Sequence, residues 1–210
     1  MSSGKGNRRD RILAAAEKVF EAHSYAAATM DAVAAEAGVA KGSIYNYFES
    51  KHDLFAQIFK EMTAGEMASA DELLATSASA AEKLAALLDY WSARLEEYQR
   101  MGRLVLEFWA TAAREGQQGE MTPMFREMYS RSRGTVEAIL AEGVESGEFN
   151  RELDPQVAAS LILAILDGVE VQSILGMGIT LDNEFLAALR RTILAALTAG
   201  AGADESGNQI

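Results

Sequence analysis

The chain has no cysteine, two histidines and two prolines in 210 residues. Without cysteine there can be no disulfide framework, no thiolate metal site and no cysteine nucleophile, and this usage fits an intracellular protein. The two histidines, His23 and His52, do not make a histidine-rich zinc constellation. Glu49 and His52 have the Glu-x-x-His spacing of di-iron bundles, but it occurs once and straddles an expected helix start. No glycine motif that cradles phosphate is present either. The expectation is therefore no catalytic residue, no metal and no cofactor.

The prolines stand at 123 and 155. So few breakers among so much alanine, leucine and glutamate predict an all-α chain, and no alternating β-branched run argues for a sheet. Long apolar runs are also missing. Residues 157–166 form the longest, about half of the ~20 residues that a membrane span needs. Behind the basic residues Lys5, Arg8, Arg9 and Arg11, the apolar stretch 12–16 is too short for a signal-peptide core. A soluble, cytoplasmic protein with no membrane contact is expected, and 49% apolar content is enough to bury a real core.

The net charge is −12, unevenly spread: residues 1–60 hold eight basic and seven acidic side chains, residues 61–210 eleven and twenty-four. The acidity belongs to the second part, so any polyanion is attracted over a short range only, and with strong sensitivity to salt.

The most informative stretch is 29–55, TMDAVAAEAGVAKGSIYNYFESKHDLF. Thr29 can cap a helix whose Met30, Val33, Ala34 and Ala37 form one apolar stripe, and Gly38 can close it in the left-handed conformation. A second helix starts near Lys41 and buries Ile44 and Phe48, so Lys41, Ser43, Tyr45, Asn46 and Tyr47 face away from the core. Ser50 with Asp53 resembles a capping box for a third helix, running to about residue 75, with Leu54, Phe55, Ile58, Phe59 and Met62 as its stripe. Lys51 then lies in a first helical turn, where the dipole disfavours a cation and an approaching phosphate would be favoured.

The run AGVAKGSIYNYFESKHDLF resembles the helix-turn-helix signature of the TetR family of transcriptional regulators, with a close match over about residues 8–62. The resemblance implies an N-terminal three-helix DNA-binding domain at 8–62. It also implies a helical ligand-binding and dimerisation domain at 63–200, for about nine helices in all. By position, Thr29, Tyr47 and Lys51 would contact phosphates, and Lys41, Gly42, Ser43, Tyr45 and Asn46 would face bases or the groove wall. His52 is a further DNA candidate, weighed against a merely solvated surface histidine. Two positions depart from the family pattern. Ser24 stands where glycine commonly ends the first helix, and Asn46 stands where histidine is frequent. Asparagine can pair bidentately with adenine or touch only phosphate or water.

Before the motif, Ile12, Leu13, Ala16, Val19 and Phe20 mark one face of an opening helix, preceded by an arm carrying Lys5, Arg8 and Arg9. After it, helices are expected at about 80–99, 102–115, 123–146, 155–176 and 183–199. Their starts have recognisable caps in Ser79 with Glu82, Thr122 with Pro123, Asp154 with Pro155, and Asp182 flanked by Leu181 and Leu186. The tail 201–210 lacks periodicity and is expected to be disordered.

The last two helices carry more apolar surface than one small bundle easily hides, with ordinary core as the competing assignment. Together with the family's palindromic sites this implies a homodimer on double-stranded DNA. Bulky, adaptable side chains concentrate in the middle helices, where Trp91, Phe108, Trp109, Phe125, Met128 and Tyr129, with Gln172 further on, are candidates to line the site of a small apolar or amphipathic effector. For each of them ordinary core is the competing assignment. The functional expectation is a repressor released from its operator by that effector. The alternatives are an activator of the same family, or a helical small-molecule binder that does not touch DNA.

Overall fold

The computed structural model describes residues 3–75, 78–116, 119 and 121–199. Among them are nine helices and no strand. The tail 201–210 lies outside the described residues. The chain divides into two compact units, one of residues 1–65 with 100–127, the other of residues 66–99 with 128–210.

In the first unit, helix α1 (Ser3–Ala22) buries Ile12, Leu13, Ala16, Val19 and Phe20, the stripe read from the sequence. Helix α2 (Met30–Ala37) begins at Thr29, whose hydroxyl oxygen accepts the Ala32 N–H at 3.1 Å, and buries Met30, Val33, Ala34 and Ala37. Its end is set by Gly38 at φ 63°, ψ 40°, a conformation that a side chain disfavours. Arg11 donates to the Ala37 carbonyl at 2.8 Å and so satisfies an acceptor that the helix end leaves open.

Helix α3 (Lys41–Ile44) is shorter than the spacing of Ile44 and Phe48 suggests. The chain leaves regular helix at Tyr45, and both the Tyr47 and Phe48 N–H groups donate to the Ile44 carbonyl, at 2.9 and 3.0 Å. This tight turn still buries Ile44 and Phe48 almost completely. Helix α4 (Lys51–Leu74) starts as expected: the Ser50 hydroxyl accepts the Asp53 N–H at 2.9 Å, and Asp53 accepts the Glu49 N–H at 2.8 Å.

The basic arm is a correction. Arg8 and Arg9 lie inside α1, and Arg9 donates to Glu61 of α4 at 2.7 Å with its guanidinium 5.6 Å from the Phe48 ring centre. A charge-assisted bond and a ring face hold the residue that the sequence left in a tail.

Helix α6 (Gly102–Glu115) and the start of α7 (Met121–Ser146) complete this unit. The expected cap at Thr122 is a second correction. Its hydroxyl donates backwards to the Gly116 and Ala112 carbonyls, at 2.6 and 3.3 Å, while the Glu115 carboxylate accepts the Met121 N–H at 3.2 Å and starts the helix earlier. Pro123 is tolerated because the first helical N–H groups have no partner within the helix.

The second unit is built on α5 (Ala80–Arg100), the rest of α7, α8 (Pro155–Ile174) and α9 (Asn183–Thr198). Leu84, Leu88, Ile139, Leu140, Phe149, Ile162 and Leu197 belong to its core. The expected caps at Ser79 with Glu82, Asp154 and Asp182 all form. Glu148 adds a carboxylate on the Ala80 and Ala81 N–H groups at 3.3 and 3.1 Å, and chiefly the Ala81 bond pulls its pKa below the ordinary value. Lys83, 5% exposed, donates to both Glu142 oxygens at 2.8 Å. The whole of α8 is long and apolar enough to cross a membrane by length and composition, which the run 157–166 understates. Ala158, Ala159, Ile162 and Leu166 nonetheless pack into the core of this unit.

Gly38→Ala is expected to cost about 1–2 kcal/mol, because alanine must take a left-handed conformation. Urea denaturation against the unaltered protein measures it.

Candidate nucleic-acid interface

After the Gly38 turn, α3 and the residues that follow it anchor on buried Ile44 and Phe48, and the side chains around these two reach the surface to different extents. Gly42, Tyr45 and Asn46 are exposed, Tyr45 with 48% of its surface free, while Ser43 and Tyr47 are half-buried. Among the described residues, and apart from its chain neighbours and the backbone of its own helix, nothing lies within 4 Å of where a Gly42 side chain would begin. Internal packing therefore does not require glycine here, whereas close approach by another molecule would. Thr29 is exposed, and because its oxygen is the acceptor in the cap, its hydroxyl proton remains available to an outside acceptor. The Tyr47 ring sits 6.4 Å from that of buried Phe48, which steadies it at the edge of the row.

Lys41 donates to Asp31 of α2 at 2.8 Å. That hydrogen bond first, and the carboxylate charge second, raise the ammonium above its ordinary 10.5. Lys51 is half-buried. It donates to the Tyr25 and Ala28 carbonyls at 2.8 and 3.1 Å and stands 4.5 Å from the Tyr25 ring centre. Those two acceptors account for a lysine in a helix's first turn without any bound anion, and of three ammonium protons they use two. His52 faces inward, its Nδ1 3.2 Å from a Glu115 oxygen and its ring edge-on to Tyr25. The DNA candidates thus separate into an exposed row around α3 and two side chains, Lys51 and His52, with ties inside the unit. Asp31 and Glu115 were not read as site residues. Asp31 could have been found from its place at the start of α2, but Glu115 is too distant in sequence from His52 to give a signal.

The effector candidates also separate. Phe108, Trp109 and Phe125 belong to the first unit, where Phe55, Phe108, Phe59 and Phe125 pack ring on ring at centroid distances of 4.3, 5.0 and 4.5 Å in turn. Phe108 is 1% exposed and Trp109 40%. Trp91, Met128, Tyr129 and Gln172 belong to the second unit. Trp91 packs against its core, and Gln172 is exposed. The Tyr129 hydroxyl donates to Asp167 at 2.9 Å, and burial pushes the Asp167 carboxyl above the ordinary range while this bond pulls it down.

Two family models match, one describing bacterial regulatory proteins of the tetR family over residues 12–58, the other the C-terminal part of BetI-type transcriptional repressors over residues 80–199. Among curated relatives, the fatty acid metabolism regulator protein of Bacillus subtilis is 27% identical over 192 residues, covering 90% of this chain and 93% of its own. The transcriptional repressor BepR of Brucella suis is 30% identical over 165 residues, covering 76% and 77%. The crystal structure of FadR from Bacillus subtilis in complex with stearoyl-CoA is similar with a TM-score of 0.70 at 27% identity, over 90% of this chain and 97% of that one.

If the Tyr47 hydroxyl meets a phosphate, Tyr47→Phe weakens DNA binding by a similar factor on every sequence, without altering the unfolding midpoint. Fluorescence anisotropy at low salt on several duplexes measures the factor. A second expectation follows from Asp167. Its pKa in the folded protein lies above the unfolded value of about 3.8, so the folded state binds this proton more tightly and loses stability as pH rises from there through the raised value. Asp167→Asn, which keeps an acceptor for Tyr129, should gain stability on the unaltered protein as pH climbs through that window, and urea midpoints at acid and neutral pH test this.

A capped helix, a left-handed glycine turn and an exposed polar and aromatic row are what a DNA-reading head requires, and both parts of the chain match one family: this chain belongs to the TetR family of bacterial transcriptional regulators, and it is a DNA-binding repressor.

Proposed function

We propose that the protein acts in the cytoplasm as a homodimer. Each protomer would set the Lys41 to Tyr47 row in the major groove over one half of a palindromic operator, and a small amphipathic effector would release the pair. The observation that carries the DNA half of the reading is the exposed row itself, fixed by the Thr29 cap and the Gly38 turn. Pairing is supported by α8, where Val157, Leu161 and Ile165 recur every fourth residue and are 54%, 59% and 43% exposed. An apolar stripe of this kind on an isolated chain is where a symmetric partner lowers the free energy. The two recognition elements of such a dimer stand about 34–36 Å apart, one turn of DNA.

The functional boundary falls at about residue 62, with effector and dimer functions carried by residues 63–200. On this reading Trp91, Met128, Tyr129 and Gln172 recognise the effector, while Phe108, Trp109 and Phe125 would carry movement of the α7 start into α4 through their packing with the Phe59 and Phe55 rings. The effector's amphipathic character is supported by the aromatic and methionine side chains, and by the relative whose structure holds stearoyl-CoA. For release, the effector must bind the DNA-incompetent arrangement more tightly. A full switch needs ~10⁴-fold preference, and couplings of ~1–3 kcal/mol give partial release.

The test is titration of the purified protein onto labelled DNA from its own upstream region against a scrambled duplex, followed by addition of long-chain acyl-CoA. Selective, salt-dependent binding that the acyl-CoA reverses is expected. Selective binding unchanged by any chain length would remove the effector class and leave the DNA reading. Leu161→Glu should convert the dimer to monomer on size-exclusion chromatography with scattering detection, and a variant that stays dimeric would move the interface away from α8.

A further inference from the structure

We infer that Asp31 limits the affinity of this protein for DNA through its internal ion pair with Lys41. The inference rests on the reading of Lys41 as a DNA-contacting residue.

Asp31 lies in the first turn of α2 and Lys41 at the first position of α3, across the Gly38 turn. Their side chains meet at 2.8 Å, and both are substantially exposed, Lys41 at 48% and Asp31 at 70%. An exposed pair of this kind adds little to folding, and the α2 terminus already has the Thr29 hydroxyl as its cap. The consequence of the pair lies at the surface that faces DNA. A carboxylate within hydrogen-bond distance of an ammonium that enters a groove is itself brought close to the phosphates. Either Lys41 leaves Asp31 on binding, and the lost bond is charged against the complex, or the pair stays closed and a negative charge faces a polyanion. Both routes lower affinity, and both act through electrostatics that salt screens. An operator complex held below its attainable affinity is easier for an effector to dissociate, because the differential binding that release needs is smaller.

The same head contains an internal control. Glu36, also on α2, pairs with Lys18 of α1 at 3.2 Å, so Glu36→Gln removes an equal charge from the same helix without touching Lys41. The experiment measures binding of the full-length protein to its selected operator duplex at low and high salt, for the unaltered chain, Asp31→Asn, Glu36→Gln, Lys41→Ala and the Asp31→Asn/Lys41→Ala pair. Circular dichroism confirms that each is folded.

Asp31→Asn should bind about three- to tenfold tighter at low salt, the factor that opening one exposed ion pair and relieving one like-charge repulsion allow. The gain should shrink at high salt, exceed that of Glu36→Gln, and fall away when Lys41 is already alanine. No gain for Asp31→Asn, or the same gain with and without Lys41, would overturn the inference: the carboxylate would then be neutral to binding, or a bare charge with no hold on Lys41. If the folded, unaltered protein binds no duplex at all, the DNA-contact reading of Lys41 fails first and takes the inference with it.

Discussion

The DNA-binding head depends on the burial of one ring. Phe55, fully buried one turn into α4, packs against Phe20 at 5.2 Å, Tyr25 at 4.5 Å and Phe108 at 4.3 Å, centroid to centroid. These rings come from α1, the loop after it and α6, so a single side chain fixes α4 against three separate segments. Removing a buried phenylalanine from such a site costs about 3–5 kcal/mol, a large share of the ~5–15 kcal/mol that holds a domain folded. One turn earlier, Lys51 draws the Tyr25 and Ala28 carbonyls toward the same helix start. Ala28 leads directly into the Thr29 cap. The direction of α2, and through Gly38 that of the exposed row, therefore follows from how α4 begins.

What the sequence made legible was local chemistry. Thr29, Gly38, Ser50 with Asp53, Ser79 with Glu82, Asp154 and Asp182 each act within four residues of themselves, and each forms as its side chain dictates. Partners far along the chain were not legible. Lys51 reads as a cation misplaced at a helix start until the carbonyls of the loop after α1 are seen beneath it, and His52 reads as a DNA candidate or a solvated histidine until Glu115 arrives from α6. The start of α7 illustrates the same limit: proline and threonine give a plausible cap, but a carboxylate six residues earlier supplies the acceptor that decides it. The effector candidates share one chemical class, bulky and adaptable, but their distribution between two units was not legible, since composition carries no information on which helix packs with which.

Charge is arranged so that attraction to DNA is local. The first unit holds twelve basic and twelve acidic residues and is neutral, while the second holds seven and nineteen and accounts for the whole net charge of −12. Within the head, Arg9, Lys18 and Lys41 face carboxylates at 2.7, 3.2 and 2.8 Å. A neutral first unit beside an acidic second one disfavours nonspecific collection on polyanions. On the proposed reading, binding comes from a few well-placed contacts at the Lys41 to Tyr47 row, which the acidic second unit does not reinforce.

Whether the Lys41 to Tyr47 row reads a defined DNA sequence is measured by selection of the protein against a random-sequence duplex library, over several rounds at physiological salt. Enrichment of a palindrome whose half-sites lie about one helical turn apart, centre to centre, is expected. Folded protein that enriches no sequence, or retains duplexes only in proportion to their abundance, would contradict it.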